Sequence, residues 1–143
     1  MVFGAPERLA SLMNLGPTAV DVHDGIVLGY PGGKLAVLMA SLRTHSPDEA
    51  TIMGTEGWIR VHAPLYRPTR LTLHRGKRPR TYEYPSRGNG MNYEADEVHR
   101  CLAAGRLESS IMPLEESLDI MHTLDSIRSL WGLKFPMERA ARG

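Results

Sequence analysis

The sequence contains very little cysteine and no long apolar run. Cys101 is its single cysteine, so an internal disulfide is excluded and a reducing compartment is expected. No apolar segment approaches the roughly 20 residues that a membrane-spanning helix requires. The opening MVFGAPERLASLMNLG lacks a basic cluster followed by an apolar core, so no signal peptide is predicted. These absences predict a cytoplasmic protein without a membrane segment.

The sequence also lacks an excess of charge of either sign. The 143 residues carry a net charge of +1, so no global field attracts nucleic acid or anionic lipid. The stretch from residue 67 to residue 87 is nevertheless basic, through Arg67, Arg70, Arg75, Lys77, Arg78, Arg80 and Arg87. This stretch lacks an aromatic platform or a recognition helix, so a solvated strand edge is expected. An RNA-binding module that uses these residues is an alternative, and it predicts salt-dependent binding to oligonucleotides.

The first part of the chain, to about residue 86, has the pattern of a β-meander. Short β-favouring runs alternate with turn residues: GIVLGY, KLAVLMASLRTH, EATIMGT, WIRVHA, RLTLHR and RTYEYP. Connections as short as Pro31-Gly32-Gly33 and Thr55-Glu56-Gly57 join only antiparallel neighbours. The run LAVLMA is apolar throughout, which predicts a central strand covered on both sides. The earlier run ERLASLMNLG fits either a helix or a strand of the same sheet.

The second part of the chain is predicted to be helical. Asn92 is a suitable cap for a first helix that ends near Gly105. Its apolar stripe consists of Ala95, Val98, Cys101 and Leu102. Cys101 is therefore expected to be a buried structural thiol. A second helix starts near Pro113 and ends at Gly132. The prediction is an α+β fold, a largely antiparallel open β-sheet with helices packed on one face, forming a single domain over residues 1–143.

The stretch GNGMNYEADEV is a glycine-rich turn that opens into a helix, as many phosphate-binding loops do. A dinucleotide fingerprint requires a third glycine, but Tyr93 occupies that position, and the preceding YEYPSR is a polar strand. Two pairs, Asp96 with His99 and Asp119 with His122, have a spacing that suits two metal ligands. Neither pair has further ligands in sequence, so helix-surface pairs are expected and no metal is predicted.

A family resemblance covers nearly the whole chain, from about Val2 to Glu138. The stretch MNYEADEVHRCLAAGRLESSIMPLEESLDIMHTLDSIRSLWGLKFPME resembles the end of the Gfo/Idh/MocA family of NAD(P)-dependent oxidoreductases, particularly its dihydrodiol dehydrogenase-like members. The upstream IMGTEGWIRV matches the isoleucine-glycine-x-x-glycine hairpin of that family's sheet. The motifs are specific in combination rather than singly.

The family's catalytic parts have no counterpart in this sequence. Its members begin with a Rossmann domain, followed by a glutamate-lysine-proline motif with a catalytic lysine and an aspartate-x-glycine-x-tyrosine or histidine segment. None of these occurs here, and the glycine and tyrosine of DGIVLGY have the wrong spacing for the last segment. The resemblance therefore implies a C-terminal domain without its Rossmann domain. The parent enzyme would use NAD or NADP, whereas this chain alone is expected to bind neither and to lack activity.

The same resemblance implies a role in substrate binding and dimerisation. The parent enzyme would oxidise or reduce a hydroxyl-bearing substrate such as a sugar or a cyclic diol. In the family, the turn corresponding to Gly90, Met91, Asn92 and Tyr93 approaches the substrate region, so these residues are the candidate substrate-binding site. A homodimer through the open sheet face is expected, with the missing Rossmann domain in the same or a separate chain. Two alternatives are a purely structural helix start with Tyr93 in the core, and a stand-alone non-catalytic binding or scaffold domain.

Overall fold

The computed structural model describes residues 2–135, so the last part of the resemblance, residues 136–138, lies outside the described residues. The elements are β1 (Arg8–Leu15), β2 (Asp21–Gly29), β3 (Leu35–Ser41), β4 (Ala50–Gly54), β5 (Gly57–Val61), β6 (Arg70–Arg75), β7 (Arg80–Glu83), α1 (Asn92–Ala103) and α2 (Leu114–Trp131). They form two compact units, residues 2–45 with 110–135 and residues 46–109. The α+β class and the antiparallel pairing predicted from the sequence are confirmed.

The first unit is a three-stranded antiparallel sheet in the order β1-β2-β3, with α2 packed against β1. The ambiguous run ERLASLMNLG forms β1, a strand rather than a helix. Near the end of α2, the Trp131 Nε1–H group donates a hydrogen bond of 2.7 Å to Ser11 Oγ of β1. The β2–β3 connection is a 3-10 turn over Pro31–Gly33, where positive φ angles at Gly32 and Gly33 reverse the chain.

The two faces of this sheet differ in what covers them. Pairing aligns Ile26 with Ser11 and with Leu38, so these side chains share the face on which α2 lies. The opposite face presents apolar side chains to the surroundings: Leu12 is 84% exposed, Val37 78% and Met39 57%. Neighbouring residues of β3 therefore face in opposite directions, and neither face of this strand is fully buried.

The prediction that LAVLMA is a central strand is wrong. Among the described residues, β3 pairs only with β2 and forms the edge of its sheet. An uninterrupted apolar run indicates that both faces of a strand are suited to burial. It does not indicate whether the strand has a neighbour on each side within the sheet. After Ser41 the chain leaves the sheet in a bend rather than returning as a paired strand.

The second unit contains a four-stranded meander in the order β4-β5-β6-β7, followed by α1. The alternation in these strands separates an apolar face, with Ile52, Ile59 and Leu73, from a polar and aromatic face. The Thr55-Glu56-Gly57 hairpin prediction is confirmed by the pairing of Gly54 with Gly57.

Both predicted helix ends are confirmed. Gly105, just beyond α1, has φ 65°, and Gly132 caps α2 in the left-handed conformation with φ 63°. The prediction that α2 starts near Pro113 is also confirmed, although Pro113 occupies the cap position with extended backbone rather than the first helical position. Within residues 2–135, no helix is both long and apolar enough to cross a bilayer.

Candidate functional site

The glycine-rich turn before α1 is held together by its own backbone. The Gly90 N–H group donates to the Arg87 carbonyl at 3.3 Å, and the Tyr93 N–H group donates to the Gly90 carbonyl at 3.1 Å. The Met91 N–H group donates to the Asn89 side-chain oxygen at 3.2 Å. A phosphate-binding loop directs free N–H groups toward its ligand. Because these three N–H groups already have partners, the turn does not form a phosphate cradle with them.

Tyr93 anchors the turn through both its hydroxyl group and its ring. Its hydroxyl oxygen accepts a hydrogen bond of 3.0 Å from the Arg87 N–H group. The Arg87 guanidinium lies 5.8 Å from the centre of the Tyr93 ring and 3.2 Å from the carboxylate of Asp96. Tyr93 is 46% exposed, so it is not a core residue and part of it is accessible. The phenolic proton can still be donated to a ligand oxygen.

Asn92 does not cap α1, and the cap prediction is wrong. The cap position belongs to Met91, whose φ of −66° and ψ of −20° are already helical, and no side chain caps this end. Asn89 instead bonds to the Met91 N–H group, because an asparagine side chain reaches the backbone two residues further on. The helix therefore begins one residue earlier than a cap at Asn92 would place it.

Two buried polar atoms at this turn lack a partner among the described residues. They are the side-chain nitrogen Nδ2 of Asn92 and Nε of Arg67, and both are hydrogen-bond donors. Arg67 also approaches the turn directly, since its Nη1 donates to the Gly88 carbonyl at 3.3 Å. A Cβ atom at Gly90 would lie 3.6 Å from Arg67 Cγ, so the glycine leaves room for this arginine. Buried donors without a partner are uncommon, and either a water molecule or a ligand oxygen would satisfy them.

The structure therefore brings together the four predicted residues, Gly90, Met91, Asn92 and Tyr93, in one turn. Met91 is 68% exposed and makes no described side-chain hydrogen bond. Arg67 and Arg87 were not predicted as site residues, because in sequence they appeared only as members of the basic stretch. Because they are 20 positions apart in sequence, the sequence alone does not show that both contact the same turn.

A cluster of polar and charged side chains lies around Glu97, in the middle of α1. Glu97 accepts a hydrogen bond of 2.6 Å from Ser109 Oγ and one of 3.4 Å from Cys101 Sγ, and its second oxygen lies 2.7 Å from Arg100. The Ser109 hydrogen bond, with smaller effects from Cys101, Arg100 and Arg106, lowers the pKa of the Glu97 carboxyl against an opposing effect of desolvation. Cys101 is only 6% exposed, which confirms the prediction of a buried thiol.

The polar face of the second sheet was missed by sequence reasoning. Trp58 and His74 are stacked with ring centres 4.9 Å apart, and the Arg60 guanidinium lies 5.5 Å from the Trp58 ring. His62 Nε2 is 2.8 Å from Thr72 Oγ1 on the neighbouring strand. The available signal was the period of two in Trp58-x-Arg60-x-His62, which places these side chains on one face.

The remaining candidates are structural or surface features. Asp96 pairs with Arg87 rather than with His99. Within residues 2–135, no three histidine, cysteine, aspartate or glutamate side chains lie close enough to hold a metal. In the basic stretch, Arg75 pairs with Glu56, and Lys77, Arg78 and Arg80 border an open cavity of about 720 Å³ at the β6–β7 turn.

Known proteins similar to this chain include several diol dehydrogenases. It is 33% identical over 146 residues to trans-1,2-dihydrobenzene-1,2-diol dehydrogenase of Xenopus tropicalis, covering 95% of this chain and 44% of that protein. The mouse and human proteins of the same name are each 30% identical, over 97% of this chain and 44% of their own length. The chain thus spans less than half the length of these relatives. No protein-family model matches it.

A solved structure has a similar fold. The crystal structure of aldose-aldose oxidoreductase from Caulobacter crescentus, complexed with glycerol, superposes with a TM-score of 0.73 at 17% identity. The match covers 88% of this chain and 39% of that one. At this identity, the comparison supports the fold alone.

Proposed function

We propose that this chain, a relative of the dihydrodiol dehydrogenases in the Gfo/Idh/MocA family of oxidoreductases, contributes one domain of such an enzyme. The proposed roles of this domain are substrate binding and dimerisation. The observation that carries this proposal is the sequence identity of 33% across 95% of the chain. The enzyme would transfer a hydride between NAD or NADP and a hydroxyl-bearing carbon, with the cofactor held by a part of the protein that this chain does not contain. A cytoplasmic location remains a prediction.

The substrate is proposed to be a cyclic diol or a sugar. The relatives are named for a diol, and vicinal hydroxyl groups offer both donors and acceptors. At the turn, Asn92 Nδ2 and Arg67 Nε supply donors that have no partner among the described residues, and the exposed ring of Tyr93 supplies an apolar surface for a carbon ring. Gly90 preserves the space beside Arg67, and Met91 is available as an apolar contact.

We also propose a homodimer through the exposed face of the three-stranded sheet. Leu12, Val27, Leu35, Val37 and Met39 present an apolar surface there, with exposed fractions from 40% to 84%. A contiguous exposed apolar patch is typical of an interaction surface. Because a two-fold interface uses the same patch on both subunits, a second copy of the chain offers the matching face. The substitution Val37→Asp should shift the solution mass from dimer to monomer in sedimentation experiments.

The substrate proposal is tested by nuclear magnetic resonance on the full 143-residue chain. Titration with trans-cyclohexane-1,2-diol should shift the amide resonances of residues 87–93, whereas NADH and NADPH should leave them unchanged. Tyr93→Phe removes the hydroxyl group and should weaken diol binding several-fold. Tyr30→Phe, a matched change in the other unit, should not. An unaltered spectrum with diol would refute the assignment of the turn as a substrate site. Micromolar binding of either nucleotide would refute the proposal that the cofactor is held outside this chain.

A stand-alone binding domain is the second candidate function. The two unpartnered donors at the turn favour it as much as they favour the enzyme domain, because both need only a ligand oxygen. Micromolar affinity for the diol or for a sugar by the chain alone would support this alternative, because an incomplete enzyme site is expected to bind only weakly.

A further inference from the structure

Arg67 runs along the glycine-rich turn and carries a charge that the turn does not neutralise. Its Cγ and Cδ atoms lie 3.6 Å and 3.7 Å from the position that a Cβ atom of Gly90 would take, and its Nη1 donates to the Gly88 carbonyl at 3.3 Å. Its Nε is buried and lacks a hydrogen-bond partner among the described residues. No carboxylate within residues 2–135 forms an ion pair with this guanidinium. The side chain is thus a half-buried cation that lies against backbone atoms.

The other arginine of the turn already has an acidic partner. Arg87 Nη2 lies 3.2 Å from the carboxylate of Asp96, and its side chain is 75% exposed. Glu94, in the first turn of α1, is exposed and does not pair with Arg67. Solvent and salt screen the charges of exposed groups, whereas a half-buried charge without a partner is costly. A negatively charged ligand therefore gains more at Arg67 than a neutral hydroxyl group does.

The donors of the turn suit a carboxylate group better than a phosphate group. The N–H groups of Gly90, Met91 and Tyr93 already have partners, and a phosphate site needs several free ones. A guanidinium presents its N–H groups in a planar fork that matches the two oxygens of a carboxylate. The hydrogen bond to the Gly88 carbonyl uses only one N–H group of Nη1, so the outer edge of the Arg67 guanidinium can still bind a carboxylate.

We infer that the ligand of this turn is a hydroxy acid, with a carboxylate group beside its hydroxyl-bearing carbon, and that Arg67 selects it. The inference rests on the proposed function, because it takes the turn as the substrate site. It narrows the substrate from a diol or a sugar to an acidic counterpart, such as a sugar acid. The carboxylate binds Arg67, and the hydroxyl group binds the polar groups of Asn92 and Tyr93 in the same turn.

The test is a resonance titration of the full 143-residue chain with two probes of equal ring size, trans-cyclohexane-1,2-diol and trans-2-hydroxycyclohexane-1-carboxylate. The hydroxy acid should bind at residues 87–93 about tenfold more tightly than the diol, because a charge-assisted hydrogen bond is stronger than a neutral one. Arg67→Gln should bring the two affinities close together, whereas Arg67→Lys keeps the charge and should retain part of the preference. Arg70→Gln, at an exposed arginine of β6, is the matched control for net charge and should retain all of it.

Each outcome decides the inference. Equal affinities of the wild-type chain for the two probes overturn it, as does a preference that survives Arg67→Gln or that falls equally in Arg70→Gln. Inorganic phosphate that binds the turn as tightly as the hydroxy acid overturns the choice of a carboxylate. Should Arg67→Gln bind neither probe, the preference measured in Arg67→Lys decides, because its complete loss there overturns the inference.

The two probes also separate this inference from the proposed function. If the diol shifts the resonances of residues 87–93 and the hydroxy acid has no advantage, the inference fails and the proposed substrate role stands. If neither probe shifts them, both fail. Added salt should weaken binding of the hydroxy acid and leave the affinity for the diol unchanged, because salt screens only the charged contact.

Discussion

The β4–β5 hairpin gives a sharp prediction about Gly57. A Cβ atom at this position would lie 2.1 Å from the carbonyl oxygen of His74 and 3.3 Å from the Cα of Arg75. Both atoms belong to the backbone of β6, so no side-chain rotation relieves the clash. In Gly57→Ala, β5 and β6 must separate locally and lose hydrogen-bond geometry where Gly57 pairs with Arg75. Overpacking costs about 1–3 kcal/mol, and one weakened buried hydrogen bond about 1 kcal/mol.

The expected loss in the free energy of unfolding is therefore about 3 kcal/mol. With a urea dependence of about 2 kcal/mol per molar, the unfolding midpoint should fall by about 1.5 M. Gly54→Ala is the matched control, because its Cβ would meet only the Gly57 carbonyl oxygen at 3.7 Å, an ordinary contact. The control should change stability by about 0.5 kcal/mol or less. Equal midpoints for the two variants, measured by circular dichroism, would refute the packing argument.

Three further predictions concern the helices. Ser109→Ala should raise the pKa of Glu97, because the Ser109 hydrogen bond lowers it. Since the pKa of Glu97 is lowered in the folded state, the stability that Glu97 contributes should be present at neutral pH and lost on acidification. Urea unfolding midpoints measured across the acid range would show this loss. Trp131→Phe removes the hydrogen bond to Ser11 and should cost about 1 kcal/mol in the same assay. Cys101 should react with a thiol reagent only after denaturant is added, because it is buried in α1.

Local chemistry made most of the secondary structure predictable. Pro113 and Gly132 bound α2 because proline suits a helix start and glycine adopts the left-handed conformation at its end. The strands of the meander followed from short turns, which allow only antiparallel neighbours. The ambiguity of ERLASLMNLG was resolved by pairing with β2, a non-local interaction that spacing alone does not encode.

The candidate site was only partly predictable. The turn at Gly90 to Tyr93 was recognised from the family resemblance, whereas Arg67 reaches it from a distant loop through a contact that no local pattern reveals. The placement of Asn92 was wrong because Asn89 competes for the same role, and either asparagine satisfies the sequence rule for a cap. LAVLMA was assigned to the centre of the sheet because its residues are all apolar. Hydrophobicity indicates that a segment avoids water, but it does not identify which part of the protein or which partner covers it.

The edge position of β3 has a consequence for the isolated protein. The run LAVLMA is entirely apolar and carries no charge and no proline, features shared by segments prone to ordered aggregation. Its outer backbone groups pair with no other strand of the described residues. Lys34 and Arg43 flank the strand and act as charged gatekeepers against ordered aggregation. Solutions of the chain should therefore become turbid more readily as salt screens these two charges, and a partner that covers the strand beforehand should keep them clear.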